Sequence, residues 1–358
     1  MINPERILVV KLSDIGDVLT ATPALRALRQ SFPKAQLEVL LPPNSREVLD
    51  GSPLTDQLII FDKFQYDRPL DALAPTNLTT ALRLGRWLRE RRLDTLILLH
   101  HLTTGWGALK YATLALASGA PRRLGLDNGR GWFLTDRVKD HGFGFKHEVA
   151  YWLDVVGELG ATTEDSRLEI SITAEEEEYA ANLLNGGQTA AAGRIGPVVA
   201  VHPGSGGYSR ARRWSAAGFA QVADALVERY GARVMLVGKG SDGLAEVAAL
   251  MKREARNLAD QTTIKQLAAL LKRCDLFLGN DGGVMHLAAA VGTPVVAIFG
   301  PSNHRAWGPW GDEHAVVRLD LPCSPCFYRG FELGTPEGCA SRECLTSITS
   351  QQVLAAIE

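Results

Sequence analysis

The stretch RILVVKLSDIGDVLTATPALRALRQ, residues 6–30, decides the fold class of this chain. Residues 6–10 form a largely apolar run without alternation, which predicts a strand buried on both faces of a parallel sheet. The apolar spacing of residues 24–30 predicts that a helix follows. A buried strand followed closely by a helix begins a βαβ unit, so the stretch indicates an α/β protein.

The same alternation continues and then starts again further along the chain. Apolar runs predict strands at residues 37–41, 57–61 and 94–99, and a second series begins at 198–202. Between the two series, the Gly- and Ala-rich segment 185–196 is the expected domain boundary. We therefore expect two Rossmann-like domains, residues 1–185 and 197–358, with the last helix packing back on the first domain. Ligands are expected in a cleft beyond the carboxyl ends of the strands.

The composition excludes several other classes of protein. A hydrophobic fraction of 46% and a charged fraction of 22% are those of a folded globular chain. The 38 Lys and Arg against 40 Asp and Glu leave a net charge of −2, which gives no overall attraction to nucleic acid. No apolar run approaches the roughly 20 residues that span a bilayer, and no secretory signal is recognised. A cytoplasmic protein without a nucleic-acid partner is expected.

Residues 11–18, KLSDIGDV, form the predicted loop between the first strand and its helix. Gly16 permits a tight turn there, and Asp17 is expected at the carboxyl edge of the sheet. The alternative is that Asp17 or Ser13 only caps the helix.

A second loop, residues 202–207 (HPGSGG), follows a predicted strand and is itself followed by Arg210, Arg212 and Arg213. Gly-rich backbone can present N–H groups to an anion, and guanidinium groups match phosphate oxygens in geometry. A surface loop with solvated arginines is the alternative.

A third loop, residues 279–286 (GNDGGVMH), runs from a predicted strand into a helix. Gly282 and Gly283 let a diphosphate approach the helix N-terminus, and Asp281 can accept hydrogen bonds from sugar hydroxyls. The alternative is a tight turn capped by Asp281, with His286 packed inside the helix.

Residues 238–243, GKGSDG, satisfy the G-x-G-x-x-G pattern of dinucleotide-binding loops. That pattern requires an acidic residue at the end of the next strand, whereas residues 251–272 are predicted to be helix and loop. An NAD site is therefore a weaker alternative, and Asp242 remains a candidate for contacting a nucleotide ribose. No P-loop and no Asp-x-Asp pair for a divalent ion occurs in the sequence.

Together these stretches resemble glycosyltransferase family 9, the bacterial ADP-heptose heptosyltransferases of lipopolysaccharide core assembly. Residues 202–214 resemble the family's phosphate loop, and residues 280–286 resemble its Asn-Asp-x-Gly-x-x-His signature. The opening resembles the family's Ser-x-x-Gly-Asp-x-x-x-x-x-Pro block through Asp14, Gly16, Asp17, Pro23 and Leu25. The resemblance spans nearly the whole chain and implies the GT-B fold, in which two Rossmann-like domains face a central cleft.

The resemblance implies inverting transfer of heptose from ADP-heptose to the lipopolysaccharide inner core, without a required cofactor. Asp17 matches the family's general base. Arg212 stands where many relatives carry Lys, and it is assigned to the diphosphate. The other donor-binding residues implied are Ser205, Gly206, Asp242, Asp281, Gly282, Gly283 and His286.

An inner-core acceptor is anionic and lipid-anchored, so the resemblance also implies cationic contacts and a peripheral position on the cytoplasmic face of the inner membrane. Arg122, Arg123 and Arg130 are the candidate acceptor contacts. The arginines between residues 83 and 92 are a second candidate, for which a solvated helix face is the favoured interpretation. A protein (autotransporter) or capsular acceptor is the alternative, and an NAD-dependent oxidoreductase using residues 238–243 is the alternative of another class.

Four of the five cysteines lie close together in the sequence: Cys323, Cys326, Cys339 and Cys344. Their spacing is compatible with a structural zinc or iron site of four thiolates. Reduced thiols are the alternative in a reducing compartment. The branch of the family that acts on autotransporter proteins is associated with a four-cysteine iron site, which keeps a protein acceptor as a second interpretation.

Overall fold

The computed structural model describes residues 3–185, 196–207 and 209–358. The chain divides into two compact units, Met1–Ser166 and Arg167–Glu358. Within the described residues, each unit contains a six-stranded sheet with all strands parallel. The prediction of an α/β protein with two Rossmann-like domains is confirmed.

The first unit has the strand order β3-β2-β1-β4-β5-β6. Its elements are β1 (Arg6–Val10), α1 (Ile15–Ser31), β2 (Gln36–Leu41), α2 (Arg46–Leu49), β3 (Gln57–Ile60), α3 (Pro69–Ala72), α4 (Pro75–Glu90), β4 (Thr95–Leu98), α5 (Gly105–Ser118), β5 (Arg122–Asp127), β6 (Asp136–Lys139) and α6 (Glu148–Gly157). The predicted buried strand is β1, which lies between β2 and β4 and is buried from Ile7 to Val10. That position explains its nearly continuous apolar sequence.

Helix α1 begins earlier than the sequence pattern indicated, at Ile15, and contains Pro23 in its interior. A proline has no N–H to donate to the carbonyl four residues earlier, which here belongs to Leu19. The Thr22 hydroxyl donates to the Leu19 carbonyl at 2.8 Å and replaces that hydrogen bond. The helix therefore continues through a residue that ordinarily ends or kinks one.

The second unit has the strand order β12-β11-β10-β7-β8-β9. Its elements are α7 (Ala174–Asn185), β7 (Val198–His202), α8 (Ala216–Tyr230), β8 (Arg233–Leu236), α9 (Leu244–Leu250), β9 (Ala255–Asn257), α10 (Ile264–Leu271), β10 (Leu276–Asn280), α11 (Gly283–Ala290), β11 (Val295–Ile298), α12 (His304–Trp307), β12 (His314–Val317), α13 (Glu343–Thr346) and α14 (Ser350–Ala355). Its core includes the inward faces of β7, β8 and α8.

The boundary between the units lies earlier than the segment 185–196 suggested, most of which is outside the described residues. Helix α7 belongs to the second unit because it packs on α10. The Glu177 carboxylate accepts from Lys272 and Arg273, both at 2.8 Å. The last helix, α14, packs on α8 of its own unit, and Val353 and Leu354 enter that unit's core. The expectation that it packs back on the first domain stays a prediction.

In the described part of the chain, no helix combines the length and the apolar character needed to cross a membrane.

Candidate active site

One candidate site lies at the carboxyl ends of β1 and β4. The strand that follows β1 in the chain, β2, lies on one side of this pair, and the strand that follows β4, β5, lies on the other side. Open α/β sheets bind ligands at such a switch point. The loop after β1 brings Lys11 and Asp17 to it, and the loop after β4 brings His100 and His101.

Asp17 lies in the first turn of α1, and its side chain is 31% exposed. The N-cap position of α1 is Asp14, which makes no side-chain bond to the helix. The Asp14 carboxylate accepts instead from the Asn44 amide at 2.8 Å. The alternative in which Asp17 or Ser13 serves as the cap is therefore not what the structure shows, and the Asp17 carboxylate keeps access to solvent.

Lys11 is the immediate partner of Asp17. Its ammonium nitrogen lies 3.8 Å from Asp17 Oδ1, donates to the Leu99 carbonyl at 3.1 Å and sits 4.0 Å from the ring centroid of Trp152. Burial raises the pKa of Asp17 to about 6, against the opposing effect of the Lys11 charge. Burial also lowers the pKa of Lys11. A carboxylate that titrates near neutrality is suited to accept a proton during catalysis.

Other charged groups reach the same carboxylate. Asp14 and Glu148 raise the pKa of Asp17, and Lys63 lowers it. His100 packs against Tyr111 with 4.9 Å between ring centroids. Burial, reinforced by the charges of Lys63 and Lys11, keeps the pKa of His100 well below its usual value, so its ring is neutral at pH 7.

Beneath this edge, His101 lies between two buried carboxylates. Its Nδ1 is 2.9 Å from Asp140 Oδ2, and its Nε2 is 3.1 Å from Glu148 Oε1. Burial opposes the charge of the imidazolium, but Glu148 and Asp140 outweigh that effect and raise the pKa of His101 to about 9. The ring also packs 5.6 Å from Trp152. This buried ion cluster holds His101, two residues after Leu99, whose carbonyl accepts from Lys11.

The structure does not place Arg122 and Arg123 where the acceptor prediction needs them. Both lie at the start of β5, the opposite end of the sheet from Asp17. The Arg122 guanidinium pairs with Asp136 at 2.8 Å, and that of Arg123 donates to backbone carbonyls. Arg130 follows the carboxyl end of β5, is exposed and donates to the Leu102 carbonyl at 3.3 Å. It therefore remains a candidate for contacting the acceptor.

The corresponding switch point of the second unit lies between β7 and β10, which lead to β8 and β11 on opposite sides. Arg212 crosses this point, with Nη1 3.0 Å from Asp281 Oδ2 and Nη2 donating to the Ser205 carbonyl. The Arg212 side chain is 11% exposed. Asp281 and Ser205 are buried. The loops predicted to hold the donor thus meet through one guanidinium group.

Three glycines complete this cluster. Gly206 has a left-handed φ of 70°, and a Cβ there would lie 3.9 Å from Arg212 Nη2. A Cβ at Gly282 would lie 3.5 Å from the Ser205 carbonyl carbon, so the two loops approach closely at that point. Gly283 begins α11, and the N–H groups of a first helical turn have no helical carbonyl to accept from them. The arrangement offers amide donors and a cation to an anion.

The sequence offered Arg213 only as one of three arginines that could meet a phosphate, and it indicated no individual role for Asn280. The Asn280 side chain accepts from the Trp214 N–H at 3.0 Å and donates to the Pro203 carbonyl at 2.7 Å, which fixes the loop after β7.

His286 is buried on α11, with its ring 6.5 Å from that of Trp307. This is the packing expected from the alternative interpretation, in which His286 lies inside the helix and not at the donor.

The Arg213 guanidinium forms an ion pair with Asp242, the residue predicted to contact the ribose. Its Nη2 lies 3.2 Å from Asp242 Oδ1, and its Nη1 donates to the Ser241 carbonyl at 3.0 Å. A cavity of about 310 Å³ opens beside this pair and is also lined by Trp214 and Arg342. Asp242 therefore lies next to a space large enough for part of a nucleotide.

The loop at residues 238–243 is closed by its own hydrogen bonds. Asp242 Oδ2 accepts from the Lys239 N–H at 2.9 Å, and Asp260 Oδ2 accepts from the Gly240 N–H at 3.0 Å. The prediction that residues 251–272 contain only helix and loop is wrong, because the three-residue strand β9 lies there and Asp260 follows it. Since Asp260 binds the loop itself, these amides are already used and are poorly placed to hold the pyrophosphate of NAD.

All five cysteines are free thiols. Cys323, Cys326 and Cys339 are exposed, whereas Cys344 is buried in the core of the second unit. Burial and the neighbouring thiols raise the pKa of Cys344 to about 11. Among the described residues, no group of three or more His, Cys, Asp or Glu side chains is arranged to hold a metal ion. The four-thiolate zinc or iron site therefore stays a prediction.

Two Rossmann-like units, each with polar groups gathered at its switch point, define a GT-B type of nucleotide-sugar enzyme. Comparison with solved structures supports the fold. The structure of E. coli ADP-heptose lps heptosyltransferase II aligns with a TM-score of 0.72 and 24% identity, over 98% of this chain and 97% of that one.

The sequence model of glycosyltransferase family 9 (heptosyltransferase) matches residues 81–335, and the chain belongs to this family of enzymes. Lipopolysaccharide heptosyltransferase 2 of Escherichia coli K12 is 26% identical over 329 residues, which is 88% of each chain. Lipooligosaccharide heptosyltransferase 2 of Campylobacter jejuni serotype O:2 is 36% identical over 137 residues, which is 37% of this chain and 43% of the relative. In that relative, the match thus spans less than half of the length.

Proposed function

We propose that the protein transfers heptose from ADP-heptose to a sugar hydroxyl of the lipopolysaccharide inner core, with inversion at the anomeric carbon. The observation that carries this proposal is Asp17, a partly exposed carboxylate with a pKa raised to about 6 at the switch point of the first sheet. Membership of the heptosyltransferase family supports heptose as the sugar. The names of these two relatives support a lipopolysaccharide or lipooligosaccharide acceptor.

In the proposed reaction, Asp17 accepts the proton of the acceptor hydroxyl while that oxygen bonds to the anomeric carbon. The bond between the anomeric carbon and the diphosphate oxygen breaks on the opposite face, and ADP leaves with the electron pair. Lys11 holds the Asp17 carboxylate near its ionised form. The nearby neutral His100 adds no positive charge that would make Asp17 a weaker base.

The departing diphosphate gains negative charge, which must be stabilised. We assign this role to the Arg212 guanidinium and to the amides at the start of α11, near Gly282 and Gly283. Asp281 accepts from Arg212 in the structure and would accept from heptose hydroxyls when the donor is bound. Ser205 and Gly206 form the opposite wall, and Asp242 is the candidate for the ribose.

We also propose that transfer needs no divalent metal ion. A guanidinium and helix N-terminal amides supply the positive potential that a metal would otherwise provide. The sequence contains no Asp-x-Asp pair of the type that holds such an ion in sugar-nucleotide enzymes. Transfer should therefore proceed at an unchanged rate in excess EDTA.

The acceptor proposed is lipid-anchored, so the enzyme would work in peripheral contact with the cytoplasmic face of the inner membrane. Arg130, exposed beyond the carboxyl end of β5, is the candidate contact for its anionic groups.

Calorimetric titration with ADP-heptose, UDP-glucose, GDP-mannose and NAD tests the donor. The proposal expects selective binding of ADP-heptose. Binding should weaken by about tenfold to a hundredfold in Arg212→Gln and stay unchanged in Arg229→Gln, a matched change in an exposed ion pair of the same unit. Selective binding of NAD would overturn the proposal, and preference for another nucleotide sugar would overturn the donor assignment.

A further inference from the structure

Helices α3 and α4 expose an unusual amount of apolar side chain for the surface of a folded domain. Leu70 on α3 is 82% exposed, Leu73 just after it is 63% exposed, and Leu82 on α4 is 72% exposed. Leu78 is exposed as well. Scattered single leucines are ordinary on protein surfaces, but a group of four on two consecutive helices indicates an interaction site.

Arginines share this surface with the leucines. Leu78, Leu82, Arg86 and Arg89 recur at spacings of four, four and three residues, so they follow one face of α4. The opposite face carries Leu88, which is buried in the core of the first unit. We call the exposed group the Leu–Arg surface; it consists of Leu70, Leu73, Leu78, Leu82, Arg86 and Arg89.

The charge of this segment is strongly positive in a chain that is nearly neutral overall. Residues 68–92 contain five exposed arginines against two acidic residues, Asp71 and Glu90. Of these five arginines, all within the described residues, only Arg86 forms an ion pair, with Glu90 at 3.1 Å on the next turn. The sixth arginine, Arg91, is used structurally, because it pairs with Glu38 and stacks on the ring of Trp87.

The Leu–Arg surface is joined to the switch point that holds Asp17. The Tyr66 hydroxyl donates to the Asn77 carbonyl of α4 at 2.9 Å, and Trp106 donates to the Tyr66 carbonyl at 3.0 Å. Lys63 lies in the same short turn as Tyr66, and its charge acts on the Asp17 carboxylate. A large assembly bound to this surface would therefore lie beside the proposed base.

We propose that the Leu–Arg surface docks on the face of an anionic lipid bilayer. Exposed leucines enter the boundary between headgroups and acyl chains, while arginines on the same helix pair with lipid phosphates. The enzyme would then meet a lipid-anchored acceptor with Asp17 held near the membrane surface; this reason for docking rests on the proposed function.

Charge favours a bilayer over a second copy of the chain as the occupant. A two-fold contact places the same patch on both partners, which would bring the arginine-rich face of one copy against that of the other. An anionic bilayer instead supplies the opposite charge, and it accepts leucines without requiring a complementary pocket.

Vesicle flotation of the full-length protein, without donor or acceptor, tests the docking. We expect binding to vesicles of phosphatidylethanolamine with phosphatidylglycerol, and little binding to phosphatidylcholine alone. Each arginine near the membrane surface should strengthen partitioning into anionic vesicles about fivefold, so R86Q/R89Q should weaken it roughly 25-fold. The double variant L70S/L82S should weaken partitioning at least about tenfold. The matched controls R229Q/R253Q and L250S, at exposed positions of the second unit, should stay within about twofold of wild type.

Failure of wild type to float with anionic vesicles would overturn the proposal, as would equal binding by the test and control variants at unchanged unfolding temperature. Self-association that L70S/L82S abolishes, without vesicle binding, would assign the surface to a second copy instead. Because flotation requires no turnover, Asp17→Asn should bind vesicles like wild type. Vesicle binding without heptose transfer by wild type would contradict the proposed function alone.

Discussion

Replacing Lys11 by Met tests whether the charge next to Asp17 controls its protonation. At an effective dielectric constant of about 20, two unit charges 3.8 Å apart interact by about 4 kcal/mol, equivalent to roughly 3 pKa units. Solvent screens part of this interaction, because Asp17 is 31% exposed. We therefore expect the pKa of Asp17 to rise by about 1–2 units in K11M.

The sign of the pH dependence follows from the role of Asp17 as a base. Transfer requires the ionised carboxylate, so kcat/KM should fall as the pH decreases through about 6 in wild type. In K11M this acid limb should move to about pH 7–8, which lowers kcat/KM at pH 7 by roughly twofold to tenfold and leaves the value at pH 9 nearly unchanged.

The assay is the pH profile of kcat/KM for heptose transfer by wild type, K11M and K11R. The charge-retaining K11R should keep the limb close to pH 6, and Lys272→Met, which removes an exposed lysine of the second unit, should leave it unmoved. Loss of the hydrogen bond to the Leu99 carbonyl costs K11M about 1–3 kcal/mol of stability, so its unfolding is measured in parallel. An acid limb of folded K11M that coincides with that of wild type would refute this reasoning.

Three further predictions concern the donor site and the stability of the first unit. Arg212→Gln should raise the Kd for ADP by about tenfold to a hundredfold, the value of one or two charge-assisted hydrogen bonds, whereas Arg229→Gln should not change the Kd in calorimetry. His101, whose folded pKa is raised to about 9, stabilises the fold fully below its unfolded pKa of about 6.5; urea unfolding should show a loss of about 3 kcal/mol as the pH rises from 6.5 through 9. Thr22→Val should lower the free energy of unfolding by about 1 kcal/mol, because the Leu19 carbonyl loses its donor.

Each of these has a result that would contradict it. An unchanged Kd in Arg212→Gln would remove that guanidinium from the donor site. Urea midpoints equal at pH 6.5 and 9.5 would show that the buried imidazole carries no extra proton in the folded state. A Thr22→Val protein as stable as wild type would mean that helix α1 tolerates its proline without help from the hydroxyl group.

The sequence was informative where the signal is local. Strands β1 and β7 are buried on both faces, so their apolar runs identify them directly. Loops that follow such strands lie at the carboxyl edge of the sheet, which is why Asp17 and Arg212 were both expected near a ligand site. The three-residue β9 was missed, because so short a strand carries no recognisable pattern.

Properties that depend on distant partners were not predictable in this way. The buried state of Lys11 depends on Leu99 and Trp152, far away in the sequence. The ion cluster of His101 likewise combines residues 39 and 47 positions apart.

Residue type alone was misleading for Arg122 and Arg123. Their charge suggested a contact with an anionic acceptor, but strand direction decides which end of a parallel sheet a residue occupies. Both arginines fall at the amino-terminal end of β5. Arg130, only a few residues later, lies beyond the carboxyl end of the same strand and remains a candidate.

The measurement that tests the central claim most directly is the rate of heptose transfer by Asp17→Asn, with ADP-heptose binding measured on the same preparation. General-base catalysis contributes about 10²–10⁴-fold to a rate. We therefore predict that kcat falls by about a thousandfold while the Kd for ADP-heptose stays within about twofold of wild type. Transfer by folded Asp17→Asn within about tenfold of the wild-type rate would contradict the assignment of Asp17 as the base.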